Sequence, residues 1–359
     1  MNIMLIGYYG YHKIEDDLFI KQLTNYLASK QKVNFFFILG EDNYYKFDSR
    51  KVFYFTNNQL SKIKRALILL KSDYIAWGGG SLELDGEPGN LLKLQKLSKL
   101  MGKGFGFLGI GLDSVLKEKN SKSKIANIFA KSDYLYLRDN YSYEMALEQL
   151  KLKQLPSLGG DLAFLDLTIY EKFFKPLNQS INITNISFSG KKWWGDSRAE
   201  FYAKQLMPLI EKYNTTIHLL PGQVVLSGQV GDQRNDNLFH ELLKKYLPST
   251  NCQIHSWKEP EDFLEILSSM NFHIGNRLHP IILADILGIP NIGIGSHRSK
   301  IFNYIHKTKT LIKERVVDFM EPISMERIMT IFDRYKKPEN FILKESSTAK
   351  SCLEQIFFS

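Results

Sequence analysis

Cysteine is almost absent from this sequence. The 359 residues include only Cys252 and Cys352, which lie far apart and belong to no spacing that is typical of metal or redox motifs. The sequence therefore predicts neither a disulfide framework nor a zinc site, and we expect no bound metal and no cofactor. So low a cysteine content fits a reducing cytoplasm.

Long apolar runs are missing as well. The most apolar stretch, Phe35 to Leu39, is much shorter than the roughly 20 residues that a membrane-spanning helix needs. The opening residues MNIMLIGYYG lead directly into a short strand and a glycine turn, without the basic flank and apolar core of a signal peptide. We therefore expect a cytoplasmic protein, for which only peripheral contact with the inner face of the membrane stays open.

The sequence also lacks an acidic excess. Lysine and arginine number 47 against 38 acidic residues, and the formal net charge is +9. This balance favours anionic partners such as phosphate ligands, nucleic acid or an anionic membrane surface. The basic residues are scattered and no nucleic-acid-binding motif accompanies them, so we do not expect nucleic acid. The segment KKWWGDSR suits either a membrane surface, with both tryptophans at the interface, or a loop that stacks on a sugar.

The chain does contain a regular alternation of short apolar strands and amphipathic helices, which is the pattern of parallel α/β sheets. The alternation runs twice and is interrupted near residues 166–182 by proline and polar residues. We predict an α/β fold with two Rossmann-like domains facing a cleft, which is a GT-B-like arrangement. The predicted division is an N-terminal domain at 1–167, a linker at 168–183, a C-terminal domain at 184–315, and a helical segment at 316–359 packing at the domain junction.

Basic side chains follow two neighbouring strands of the second domain. Arg277 and His279 come directly after a buried strand, and Pro280 is expected at the first position of the next helix. A further basic cluster that includes Lys300 comes after the following strand, Asn291 to Ile294. Ligands of open α/β sheets bind outside the carboxyl ends of the strands, where a helix N-terminus adds partial positive charge. The pattern therefore predicts an anion site, although a helix cap or a surface ion pair would place the same residues there.

A second set of candidates follows the strands of the first domain. Glycine turns permit a ligand to approach the main chain, and the aspartates near them either cap turns or accept a proton from a hydroxyl group. An arginine on the same edge either binds an anion or pairs with Asp139 or Glu144. These candidates are Gly10, Asp16, Gly79, Gly80, Ser81, Asp85 and Arg138.

Taken as a set, these stretches resemble the polysaccharide pyruvyl transferase family. The shared features are a glycine turn with an aspartate, GGGSL with a downstream Asp85, RDNYS, GGDLAF, and RLH before a helix that ends in GIP, followed by Lys300. The resemblance implies a GT-B-like fold and transfer of pyruvate from phosphoenolpyruvate, as co-substrate, to a sugar of a cell-surface polysaccharide or its lipid-linked precursor. A pyruvate ketal forms and phosphate is released. Lys13 and Glu15 stand where the family often has asparagine and glycine.

The implied chemistry assigns a role to each candidate. Phosphoenolpyruvate carries a phosphate and a carboxylate, so Arg138, Arg277 and Lys300 are expected to bind it on the donor side. His279 is the expected proton donor, and Asp85 or Asp16 the expected base for the attacking hydroxyl group. Gly10, Gly79, Gly80 and Ser81 are expected to contact substrate, with the acceptor on the side of the first domain.

Two other classes of function stay open at this stage. A GT-B glycosyltransferase that uses a sugar nucleotide would also place donor phosphates on the basic edge. A binding protein without activity would keep the fold and change the first glycine turn. Binding of a nucleotide without any effect of phosphoenolpyruvate would indicate the former, and failure to bind any phosphorylated donor would indicate the latter.

Overall fold

The computed structural model of the protein describes residues 1–42, 47, 49–82, 90–112, 127–150, 152, 155–175, 183–225 and 235–358. The chain forms two compact units. The first unit comprises Met1–Tyr11, Glu15–Leu167 and Leu343–Ser359, and the second comprises His12–Ile14 and Thr168–Ile342.

The first unit contains a parallel sheet whose strands are hydrogen-bonded in the order β3-β2-β1-β4-β6-β7-β8, with β5 beside β6. Its central strands β1, β6 and β7 are short apolar runs that are almost wholly buried, as parallel strands are when helices cover both faces of a sheet. The order reverses between β1 and β4, which makes their carboxyl ends the expected ligand site of this unit. The strands are β1 Asn2–Ile6, β2 Phe35–Gly40, β3 Val52–Thr56, β4 Tyr74–Gly78, β5 Ser81–Leu82, β6 Gly104–Leu112, β7 Tyr134–Leu137 and β8 Ser157–Leu158.

Helices connect these strands. The first helix has three acidic residues in its first turn, where negative charge stabilises a helix through its dipole. The helices are α1 Ile14–Ala28, α2 Lys62–Lys71, α3 Leu91–Leu100 and α4 Asn140–Leu150. Most of the last helix of the chain, α12 Glu339–Phe357, also belongs to this unit.

The second unit contains a parallel sheet in the order β11-β10-β9-β12-β13-β14. Here the order reverses between β9 and β12, so their carboxyl ends form the expected ligand edge. The strands are β9 Asn185–Ser189, β10 Thr216–Leu219, β11 Cys252–Ile254, β12 Phe272–Gly275, β13 Asn291–Ile294 and β14 Val316–Val317. The last strand extends this sheet into residues that the sequence assigned to a separate helical segment.

The helices of the second unit are α5 Asp196–Tyr213, α6 Asn237–Lys244, α7 Pro260–Ser268, α8 Leu278–Leu287, α9 Lys300–Thr308, α10 Ile312–Arg315 and α11 Met325–Arg334. Helix α8 is apolar and almost wholly buried, and Gly288 ends it in the left-handed conformation that glycine adopts without strain. Throughout the described ranges, no helix is long and apolar enough to cross a membrane.

Candidate active site

Arg277 lies at the carboxyl edge of the second sheet, two residues after β12. Its Nε and Nη2 donate to the two carboxylate oxygens of Asp236 at 3.0 and 2.5 Å. Asp236 is fully buried, whereas 14% of the Arg277 side chain is exposed. A two-point contact of this kind fixes the plane of the guanidinium group. Arg277 is therefore held rigidly at the edge where the sequence predicted an anion site.

Asp236 also binds the backbone of two other chain segments beside Arg277. It accepts hydrogen bonds from the backbone N–H groups of Gln223 and Lys192, at 3.0 and 3.2 Å. A Cβ atom on Gly222 would lie 3.2 Å from the Arg277 side chain, so the chain passes close against the arginine. One buried carboxylate thus positions Arg277 and the loops that follow β9 and β10.

His279 lies in the first turn of α8 and is 1% exposed. The helix begins at Leu278 with Arg277 as its N-cap, so the prediction that Pro280 occupies the first helical position is wrong by two residues. Proline fits any position in the first turn, because the N–H groups there lack partners within the helix. His279 is consequently a helical residue beside the positive end of the α8 dipole.

Lys300 is the first residue of α9, after β13, and is partly buried. Ser299 caps this helix by accepting from the backbone N–H of Phe302 at 3.2 Å. The cap fixes where α9 begins and therefore where the Lys300 side chain leaves the backbone. The carboxyl ends of β12 and β13 are thus followed by Arg277, His279 and Lys300.

A buried histidine also lies at this edge. His240 Nε2 accepts from the backbone N–H of Gly190 at 3.2 Å, and Nδ1 is 2.9 Å from Asn237 Oδ1. Burial lowers the pKa of His240 to about 4. The imidazole is therefore neutral near pH 7, with its proton on Nδ1 directed at Asn237.

The first unit brings Asp16 and the glycine turn together. Asp16 is 1% exposed in the first turn of α1. Gly79 and Gly80 both have left-handed backbones, with φ of 74° and 76°, and a Cβ on Gly80 would lie 2.5 Å from Asp16 Oδ1. Gly10, with φ of 81°, donates its N–H to Asp17 Oδ1 at 3.1 Å. Only glycine allows this approach of carboxylate to backbone.

Arg138 is buried in the same unit and joins Ser81 to a carboxylate pair. Its Nη2 donates to Ser81 Oγ at 3.2 Å, its Nε to Asp139 Oδ2 at 3.3 Å, and Nη1 lies 3.6 Å from Asp161 Oδ2. Burial lowers the pKa of Arg138, but Asp161 and Asp139 outweigh that effect and the net shift is upward. A Cβ on Gly111 would meet the guanidinium at 2.6 Å, so the arginine lies directly against the backbone of β6.

Within the first unit, the structure brings two pairs of predicted residues together. Arg138 donates to Ser81, and Asp16 lies close to Gly80. Arg138 belongs to the first unit, and Arg277, His279 and Lys300 belong to the second. Asp85 lies outside the described residues. In the described part of the chain, no group of three His, Cys, Asp or Glu side chains could hold a metal ion.

Sequence reasoning missed Asp236 and His240. Asp236 lies in a polar stretch, GDQRNDN, in which nothing distinguishes one acidic residue from the other. His240 lies in the middle of an amphipathic helix, where a histidine is most simply read as part of the polar face. An arginine that binds an anion needs a carboxylate to fix its plane, but the sequence does not show which carboxylate does so.

Comparison with known proteins supplies the family. A family model for polysaccharide pyruvyl transferase matches residues 16–298, which is most of the chain. No curated protein matches.

Solved structures show the same fold at low sequence identity. UDP-GlcNAc 2-epimerase from Neisseria meningitidis, bound to UDP-GlcNAc, is 11% identical over the full length of both chains, with a TM-score of 0.59. The Methanocaldococcus jannaschii UDP-GlcNAc 2-epimerase is 12% identical, again over both full chains, with a TM-score of 0.58. A glycosyltransferase from Rickettsia africae is 11% identical over 99% of this chain and 94% of its own, with a TM-score of 0.55.

These similarities confirm the predicted α/β, GT-B-like fold class. The match of the family model extends from the first turn of α1 to the residues just before α9, and so includes Asp16, Arg138, Arg277 and His279, whereas Gly10 and Lys300 lie outside it. The chain belongs to the polysaccharide pyruvyl transferase family, which is a family of enzymes.

Proposed function

We propose that the protein transfers pyruvate from phosphoenolpyruvate to a sugar of a cell-surface polysaccharide or its lipid-linked precursor, forming a pyruvate ketal and releasing phosphate. Membership of the family supports the reaction class. The observation that carries the donor assignment is the Arg277 guanidinium, which Asp236 holds in a fixed plane beside the first turn of α8.

The charges at this edge suit an anionic donor. Arg277 and Asp236 together carry no net charge, so the pair supplies geometry more than attraction. Lys300 and the positive end of the α8 dipole supply the positive charge that a phosphate and a carboxylate need. We assign the donor phosphate and carboxylate to Arg277, Lys300 and this helix end, and keep Arg138 as a further candidate.

Ketal formation requires two protons, one for the methylene carbon and one for the departing phosphate, and the two sugar hydroxyl groups release two. A proton adds to the methylene carbon of phosphoenolpyruvate, which leaves an oxocarbenium-like centre at the neighbouring carbon. One sugar hydroxyl attacks that carbon and loses its proton. The carbon–oxygen bond to phosphate then breaks, and a second hydroxyl attacks and loses its proton to close the ring. The products are a ketal and phosphate.

We assign the proton donation to His279, because a histidine can give up a proton near neutral pH and this one lies beside the proposed donor site. Asp16 and Asp85 are the candidates for the base. The approach of Asp16 to Gly80 supports a role for the glycine turn, with Gly10, Gly79 and Ser81, in holding substrate.

The second candidate is glycosyl transfer from a sugar nucleotide, and the observation in its favour is the fold similarity to a glycosyltransferase and to UDP-GlcNAc epimerases.

The proposed reaction is tested by incubating the protein with phosphoenolpyruvate and a panel of sugars and lipid-linked sugars. We expect phosphate release and a product heavier by pyruvate less one water. Consumption of a sugar nucleotide with phosphoenolpyruvate untouched would establish the second candidate instead.

A further inference from the structure

Residues 190–195, which follow β9, form a loop that is fixed at three points; we name it the tryptophan loop. The N–H of Gly190 donates to His240, and that of Lys192 donates to Asp236 Oδ1 at 3.2 Å. Trp194 is 1% exposed and stacks on Tyr202 with 5.1 Å between ring centroids. Three such anchors leave the backbone of the loop little freedom.

Trp193 differs from Trp194, because 63% of it is exposed. The two tryptophans therefore differ, and the interpretation that places both at a membrane interface is wrong for Trp194. The ammonium groups of Lys191 and Lys192 lie 5.3 and 5.9 Å from the centre of the Trp193 ring. An aromatic ring with cations around it recognises a flat apolar surface that has negative charge nearby.

The tryptophan loop is coupled to the proposed donor site through one atom. Asp236 Oδ1 accepts both from the Lys192 backbone N–H and from Arg277 Nη2. The loop backbone and the Arg277 guanidinium are therefore separated by two hydrogen bonds across a fully buried carboxylate. A ligand bound by Trp193 lies on the same sheet edge as the proposed donor.

We propose that Trp193, Lys191 and Lys192 form the acceptor subsite, and that the acceptor it selects is a sugar ring carrying a phosphate or diphosphate. This proposal rests on the proposed function and specifies the class of its acceptor. It places the acceptor phosphate on the second unit, in place of the expectation that the acceptor lies on the side of the first domain. The apolar face of a pyranose stacks on the indole, and the two ammonium groups bind the attached phosphate oxygens. A diphosphate can come from a nucleotide or from a prenyl carrier, and the chemistry of the subsite is the same for both.

A membrane surface is the competing occupant of this loop, and the structure favours the sugar. Membrane-binding segments present several apolar side chains together, as the apolar face of an amphipathic helix does. Here a single ring is presented, its neighbour Trp194 is used in the core, and the loop is tied to the site carboxylate Asp236.

Binding is measured by calorimetry on the full chain with four probes: UDP-N-acetylglucosamine, a short-chain prenyl diphosphate-linked N-acetylglucosamine, free N-acetylglucosamine and phosphatidylglycerol vesicles. We expect Trp193→Ala to weaken binding of the preferred glycosyl diphosphate about tenfold, and Trp193→Phe to keep most of the affinity. Lys191→Gln/Lys192→Gln should weaken the same probe and reduce its salt dependence. The matched control is Lys204→Gln/Lys212→Gln, which removes two charges from helix α5 and should leave binding unchanged.

The relative affinities for the two glycosyl diphosphates identify the carrier. Equal binding of these probes to wild type and Trp193→Ala would overturn the proposal, as would loss of vesicle binding alone in that variant. Failure of the reaction is distinguishable from failure of the subsite. A wild-type protein that binds a glycosyl diphosphate through Trp193 but releases no phosphate from phosphoenolpyruvate contradicts pyruvyl transfer only. Phosphate release that Trp193→Ala leaves unaltered contradicts the subsite only.

Discussion

Arg277 is held at two points by one buried carboxylate, and only a planar fork can make both contacts. Lysine keeps the charge but reaches Asp236 at one point, so it cannot hold a fixed plane as the guanidinium group does. We expect Arg277→Lys to weaken phosphoenolpyruvate binding by about tenfold or more, nearly as much as Arg277→Ala. Calorimetric titration measures this, with the exposed Arg298→Lys as control. Wild-type affinity in Arg277→Lys would mean that the residue acts through charge alone.

Substitution of His279 should change the turnover rate, whereas substitution of Arg277 should change the affinity for phosphoenolpyruvate. We expect His279→Gln to lower turnover by about a hundredfold while phosphoenolpyruvate affinity stays close to wild type, because glutamine keeps a polar group but supplies no acidic proton. Arg277, and not His279, occupies the N-cap position of helix α8, so the substitution does not alter the N-cap residue. Steady-state rates and donor affinity test this, and substantial turnover in His279→Gln would exclude His279 as the acid.

At the scale of elements, the turn after β4 combines two constraints on one glycine. A side chain at Gly80 would adopt an unfavourable left-handed backbone and would also meet Asp16 at 2.5 Å. Gly102 has a similar φ of 65°, but a Cβ there meets no heavy atom within 4 Å. We expect Gly102→Ala to cost only the backbone strain of about 1–2 kcal/mol.

Gly80→Ala should cost more than Gly102→Ala and should also lower activity, because Asp16 must move. Urea unfolding and phosphate release measured on both variants make the comparison. Equal losses of stability with unaltered activity would show that the position of Asp16 beside the turn has no importance for the reaction.

Helix α6 is joined to the start of the tryptophan loop by a histidine that must stay neutral. The folded-state pKa of His240 is about 4, below the roughly 6.5 of an unfolded chain, so the unfolded state binds more protons between these values. The contribution of His240 is complete above about pH 6.5 and declines by about 3 kcal/mol as the pH falls to 4. Burial also lowers the pKa values of His255 and His273, to about 4 and about 3, and they add to the slope.

Replacing His240 by glutamine should therefore reduce the pH dependence of stability by the share of one proton, about 1.4 kcal/mol per pH unit between pH 4.5 and 6. Glutamine can still accept from Gly190 and donate to Asn237. Urea unfolding at several pH values measures the slope. An identical slope in wild type and His240→Gln would show that His240 titrates normally in the folded protein.

At the scale of the whole molecule, the sequence predicted the features that depend on neighbouring residues, which are the strands, the helices and the residues that follow them. Short apolar strands alternating with helices gave two parallel sheets, and the positions of Arg277 and His279 after β12 followed from the same alternation. Asp236 could not be identified, because its partner Arg277 is 41 residues away. The exposure of Trp193 and the burial of Trp194 also depend on tertiary packing, since both rings occupy one short loop.

The second unit is further held together by a buried network centred on Asp285 in α8. Its carboxylate accepts from Arg315 Nη2 at 2.7 and 2.9 Å, from Asn291 at 2.7 Å, and from the hydroxyl groups of Tyr304 and Tyr335 at 2.9 and 2.7 Å. Asp285 and Arg315 are both fully buried. The network therefore connects α8, which carries His279, to β13, α9 and the residue after α11.

Arg315→Ala should destabilise the second unit by about 3–5 kcal/mol, because it leaves a buried carboxylate without its cation. Arg327→Ala is the matched control: its ion pair with Glu321 is partly exposed, at 24% and 41%, and should contribute less than about 1 kcal/mol. Hydrogen exchange read from peptides of β12 to α9, beside peptides of β1 to β4, measures the loss where it occurs. Replacing Asp285 and Arg315 together by leucine and methionine should recover only part of the stability: no charge then stays buried alone, but the hydroxyl groups of Tyr304 and Tyr335 lose their acceptor. Protection in Arg315→Ala equal to that in Arg327→Ala would show that the remaining donors suffice to hold Asp285.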